Sequence, residues 1–250
     1  MTKADKYRKI LPSVDDWEPY LLANSGLPGP RGNLELAQVV ADLGDKALFE
    51  QLLAYTSDIA PTNSAHEFLA FCGIIGLGRL AAEGQTDLLA RIRSHANDPR
   101  WRMREGVSMA LQRVGEVDMD RLIHEMEQWR SGSLLEKRAV AAALCEPRLL
   151  TNETHARQTL GMLDAITASI DAIEDRRGET FKALRKGLGY CWSVAVASLP
   201  DVGKPLMEKW LLSKDKDVIW IMNQNLGKSR LQRMDAAWVE HCHQVISSGG

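Results

Sequence analysis

Apolar residues return every three or four positions along almost the whole chain, and no stretch sustains the period-two alternation of a half-buried strand. Leu48, Leu52 and Tyr55 share one helical face, as do Leu88, Ile92 and His95, then Leu122, Met126 and Trp129, then Val218, Met222 and Leu226. Breakers divide these runs at Ser25–Gly32, Asn97–Pro99, Ser131–Ser133, Pro147, Arg177–Gly178, Pro200 and Ser213–Asp217. The spacing therefore predicts an all-α chain of about thirteen short helices, the last over about Asp235 to Ile246. With 250 residues, 45% of them hydrophobic and 26% charged, the chain is long enough to bury a core without staples. It reads as one domain over residues 1–250, with a Gly/Pro-rich inter-helix loop at 25–33.

One segment recurs. Met103-Arg104-Glu105-Gly106-Val107-Ser108-Met109-Ala110-Leu111 is followed 33 residues later by Glu136-Lys137-Arg138-Ala139-Val140-Ala141-Ala142-Ala143-Leu144. A third copy sets Val218, Met222 and Leu226 on Met103, Val107 and Leu111, with Lys228 on Arg113. A period in the thirties with two helices per period marks a stacked helical repeat, in which each pair covers the apolar face of the next. Asp98-Pro99-Arg100-Trp101-Arg102-Met103-Arg104, followed by Val107, Ala110 and Leu111, resembles the second helix of a HEAT repeat. Asp98 is placed to cap the helix and Pro99 suits its first turn. The resemblance covers about Thr86 to Leu144 and, less closely, Val202 to Leu231. The third copy departs from it, with Asn225 at the Ala110 position and Asp215 and Asp217 displaced from that of Asp98. What the resemblance implies is a HEAT-like, armadillo-like α-α superhelix, a curved solenoid whose second helices line a concave binding face.

The charge is unevenly spread behind a net −2 that gives no case for a dedicated nucleic-acid or membrane binder. Leu11 to Glu83 holds ten acids and three bases, whereas Arg91–Arg104, Arg176–Tyr190 and Lys204–Arg233 each carry a net +4. These later stretches suggest a basic binding surface made of Arg102, Arg104, Lys137, Arg138, Lys182, Arg185 and Lys186. The repeat alignment sets Arg104 and Lys137 at equivalent positions, predicting a ladder of cations. Of seven tryptophans, Trp101, Trp192 and Trp220 fall beside these bases and could present rings to a partner, while the others read as core. Asn223 and Asn225, at expected inward positions, need hydrogen-bond partners and would either tie neighbouring repeats together or line a groove.

Other features are weaker. Arg31, Gly32 and Asn33 close the 25–33 loop at a helix start, which suits either an anion site or a rigid connector. Gly73, Gly76 and Gly78 lie inside a helical run, where close helix packing would offset their cost. Cys72, Cys145, Cys191 and Cys242 are scattered and read as buried reduced thiols. His241-Cys242-His243 places two imidazoles on different sides of a helix, so no metal and no cofactor is expected. The charged start from Met1 to Ile10 carries no signal peptide, and the apolar run Phe68–Leu77 falls short of a bilayer span, so a cytoplasmic location and no membrane partner are expected.

These observations favour a non-enzymatic scaffold for a protein partner. Some HEAT-like solenoids are alkylpurine-DNA glycosylases, and by that resemblance Asp98 and Trp101, with Arg102 and Arg104, would be the residues of a nucleic-acid-binding, glycosylase-like alternative. A third reading is a small-molecule or peptide binder around Trp192 and Trp220. The oligomeric state is left open.

Overall fold

A computed structural model describes residues 1–248 as helices joined by turns, with no strand among them. The one-domain reading also takes in Gly249 and Gly250, which lie outside the described residues. The chain divides into two compact units, the first from Met1 to Val117 and the second from Asp118 onward. The first holds α1 (Lys3–Ile10), α2 (Trp17–Asn24), α3 (Leu34–Leu43), α4 (Lys46–Leu53), α5 (Ala65–Ala82), α6 (Leu88–Ser94) and α7 (Trp101–Val117). The second holds α8 (Met119–Trp129), α9 (Leu134–Leu144), α10 (Glu153–Ala168), α11 (Glu179–Ser198), α12 (Pro200–Leu211), α13 (Lys216–Leu226), α14 (Ser229–Met234) and α15 (Ala236–Ser248). That is fifteen α-helices among the described residues rather than about thirteen. Pieces as short as α14, six residues long, carry too few periods to be separated by spacing alone.

Helix starts follow local chemistry. Asp16, Asn33, Asp45, Ser64, Asp118, Ser133, Asn152 and Asp215 each accept a hydrogen bond from a first-turn backbone N–H. At Ser133 the bond is returned by the Glu136 carboxylate, completing a capping box.

In the first unit α5 is the hub, packed by α2, α3, α4, α6 and α7. It is 18 residues long, longer than the Phe68–Leu77 run, and apolar enough to cross a bilayer by length and composition. Here 83% of it is buried within the protein. Its glycines explain how. Gly73 lies against Leu53 and Phe49, Gly76 against the Phe49 ring, and Gly78 directly on the backbone of Ala110 in α7.

In the second unit α11 is the hub. It packs between α9 and α13 and also meets α10, α12 and α14, while α10 contacts both α8 and α12. The aligned residues Met103, Val107 and Leu111 of α7, Val140 and Leu144 of α9, and Val218, Met222 and Leu226 of α13 are all buried. So are Ala110, Ala143 and Asn225 at the small-residue position.

Candidate functional site

The first unit brings its candidate residues together at the start of α7, largely as structural ties. The Asp98 carboxylate accepts from the Arg100 backbone N–H at 2.8 Å, from its Nε at 2.9 Å and from its Nη2 at 2.7 Å. Arg100 Nη1 then donates to the carbonyls of Tyr55 and Ala60, pinning the loop ahead of α5. Asp98 is thus the acid of a buried clasp rather than a group open to substrate. Arg102, expected on the surface, is 5% exposed: its Nη1 meets Glu67 Oε2 at 3.0 Å and its Nη2 donates to the Gly29 carbonyl. Burial in an ion pair removes it from any binding face. Arg104 turns back to the carbonyls of Asp98 and Pro99. Trp101 is 45% exposed, with the Arg102 guanidinium 4.4 Å from its ring centroid.

The 25–33 loop is a tied connector. Gly29 N–H donates to Asn63 Oδ1, Leu27 N–H to Ser25 Oγ and Asn33 N–H to the Ser25 carbonyl. The Asn33 side chain caps α3 through Leu36 N–H and donates to Tyr7 Oη and the Asn24 carbonyl. Gly32 lies close to Phe68, and Arg31 is exposed. The backbone donors named here are therefore already bonded within the protein. Elsewhere in this unit a cleft of about 310 Å³ is lined by Asp15, Asp16, Trp17, Glu18, Asp45 and Leu48, among others, and by none of the candidate residues.

The second unit builds a more open arrangement around α11. Lys182, Lys186 and Tyr190 follow one another at four-residue steps and so share a face. Lys182 is paired with Glu179 at 2.7 Å. Arg185 leans toward α13, lying 4.0 Å over the Trp220 ring and 3.1 Å from Asp217 Oδ1, while Arg176 binds Asp215 and Asp217 from the other side. The Arg176 guanidinium, hydrogen-bonded to the Asp215 carboxylate, is held above its ordinary pKa. Gly189 lets Trp220 approach, its Cβ position lying 3.2 Å from that ring. On the other flank Arg138 of α9 packs against Gly187, and Lys137 donates to Ser169 Oγ at 2.9 Å. Partial burial lowers the Lys137 pKa. The side chains of Arg104 and Lys137 each turn to acceptors within their own unit.

Lys228 and Arg230, at the start of α14, were not singled out by the charge pattern, and neither was Tyr190. Arg230 lies 4.7 Å over the Tyr190 ring and donates to its hydroxyl at 2.5 Å, with Lys228 Nζ 5.9 Å from the same centroid. Tyr190 is 46% exposed. Its signal in the sequence was the four-residue step from Lys186.

Trp192, expected at the surface, belongs to the core, and Asn225 lies inward as its position on the helix predicts. Trp192 is fully buried, its indole N–H donating to Thr167 Oγ1 at 3.0 Å, because its side of α11 packs inward. Asn225 is also fully buried, taking the Ser193 N–H at 2.8 Å and donating to the carbonyls of Leu188 and Ile221. It ties α13 to α11. Asn223, expected inward, is exposed, because it lies two positions from Asn225 on the helix. Replacing Asn225 by Ala should cost about 2 kcal/mol, since the Ser193 N–H loses its buried acceptor. Urea titration reads this directly.

The four cysteines are buried and free, and burial pushes the thiols of Cys72 and Cys145 well up and that of Cys242 to about 11. His241 is exposed while Cys242 faces the core, and no group of three metal-binding side chains occurs among the described residues. Compared with models of protein families, with curated proteins and with solved structures, the chain matches none.

Proposed function

We propose that this chain is a HEAT-like helical scaffold that binds a protein partner through an acidic segment of that partner. The docking face is the surface of the second unit formed by α9, α11 and the start of α14. The solenoid reading is supported by the successive packing of α9, α11 and α13, and by buried residues falling at the same register in α7, α9 and α13.

One observation carries the binding reading. Lys186, Lys228 and Arg230 have no carboxylate within ion-pair reach among the described residues, yet they gather around exposed Tyr190. Elsewhere in the unit Arg130, Arg157, Lys204 and Lys209 are each matched to an acid, and what sets Lys228 and Arg230 apart from other cations unpaired among the described residues, such as Lys214 and Lys216, is that they share one exposed ring. Arg113 shows the contrast at the position aligned with Lys228, being bound to Asp42 at 2.9 Å. Cations left unmatched together repel one another until an anion arrives, and complementary charge gives a partner both steering and register. The glycosylase-like alternative loses its acid, since Arg100 closes off Asp98.

A fluorescein-labelled decaglutamate peptide tests this by anisotropy. It should bind the wild type at low salt and weaken as salt screens the contact. Lys186→Glu/Arg230→Glu should lose at least about tenfold in affinity. Lys3→Glu/Lys6→Glu, an equal change in net charge on α1, should lose little. Equal losses in both variants, or tighter binding of a DNA duplex of matched charge, would overturn the proposal.

A further inference from the structure

The charged side chains that meet the Tyr190 ring, Lys228 and Arg230, are donors. Arg230 Nη2 donates to the Tyr190 hydroxyl oxygen, so the hydroxyl proton points elsewhere, and no described residue accepts it. Lys228 and Lys186 add ammonium donors with no carboxylate beside them, and Arg230 keeps further N–H groups.

Such a site selects by acceptor number as well as by charge. A carboxylate offers two oxygens in one plane and a single charge. A phosphomonoester offers three oxygens in a tetrahedral array and close to two charges at neutral pH. Three kinds of donor meet at Tyr190: a planar guanidinium, a compact ammonium and a directional hydroxyl. They approach from α11 and from the start of α14, so a planar ligand would leave one of them unmet. Charge-assisted bonds to such oxygens are the strong ones.

Resting on the acidic-segment reading, we infer that the Tyr190–Lys228–Arg230 cluster receives a phosphoserine or phosphothreonine side chain of the protein partner. Lys186 holds an acidic residue that flanks it.

Three labelled ten-residue peptides of one acidic sequence test this at fixed ionic strength, carrying phosphoserine, glutamate or serine at the central position. The phosphoserine peptide should bind at least about tenfold more tightly than the glutamate peptide, as charge-assisted bonds gained by a third oxygen imply. Tyr190→Phe keeps the ring and removes the hydroxyl, and should cut that preference about fivefold. Arg230→Gln should abolish it. Equal binding of the phosphoserine and glutamate peptides would overturn this inference while leaving the acidic-segment reading intact so long as decaglutamate still binds. A preference that survives in Arg230→Gln, or tighter binding of a ten-nucleotide oligothymidylate, would also overturn it. Failure of decaglutamate and all three peptides together would remove both readings.

Discussion

Replacing Arg102 by Met is expected to destabilise the protein by about 3–5 kcal/mol, the usual cost of stranding one member of a buried ion pair. Glu67 is completely buried at the start of α5, and Arg102 is its cationic partner there, at 3.0 Å. Without the guanidinium, the carboxylate keeps the Asn63 N–H at 2.7 Å but loses the charge that compensates its burial. The loss extends outward, because Arg102 Nη2 also holds the Gly29 carbonyl of the 25–33 loop. Adding Glu67→Gln removes the stranded charge while keeping an acceptor for Asn63, so the double variant should regain more than half of the loss. Guanidinium titration followed by tryptophan fluorescence checks both. A cost under about 1 kcal/mol for Arg102→Met would mean that water already reaches the pair.

That pair also marks where reading a sequence for charge stops. Arg100, Arg102 and Arg185 counted equally with Lys186 toward the basic stretches, yet each of the three is bound to an acid. Asp98 lies two residues from Arg100, whereas Glu67 and Asp217 are more than thirty positions from their partners. A cation's neighbours depend on tertiary packing, so the unmatched cluster at Lys186, Lys228 and Arg230 could not be separated from the matched ones. Periodicity is different, because burial on a helix repeats with the backbone. The register of Met103, Val107 and Leu111 against Val218, Met222 and Leu226 was legible, and all of these residues are buried. Trp101 and Trp192 look alike beside their bases. They separate into 45% exposed and fully buried only because one opens a helix and the other lies mid-helix on the packed side of α11.

The second large effect is expected at Gly78. An added Cβ there would lie 2.3 Å from Ala110 Cα and 2.6 Å from both Ala110 Cβ and its carbonyl oxygen. Two opposing effects meet at this position. Exchanging a mid-helix glycine for alanine favours the helix by about 1 kcal/mol. Against that, the obstacle is backbone rather than a side chain that could swing aside, so α5 and α7 must separate along a close backbone contact. Overpacking of that kind costs about 3 kcal/mol or more, and the clash outweighs the propensity gain. Gly78→Val, with two further carbons to place, should lose about 3 kcal/mol or more even after any gain in helix propensity. Gly161→Ala in α10 has the opposite sign: nothing lies within 4 Å of its Cβ position, so about 1 kcal/mol should be gained. Combining Gly78→Ala with Ala110→Gly removes one of the three clashing atoms and leaves the Cα and the carbonyl oxygen in place. The new glycine in α7 also costs about 1 kcal/mol, which offsets the relief from the lost Cβ, so thermal unfolding of the double variant should be no better than that of Gly78→Ala alone. Full recovery would mean that side chains, rather than the two backbones, set the distance between these helices.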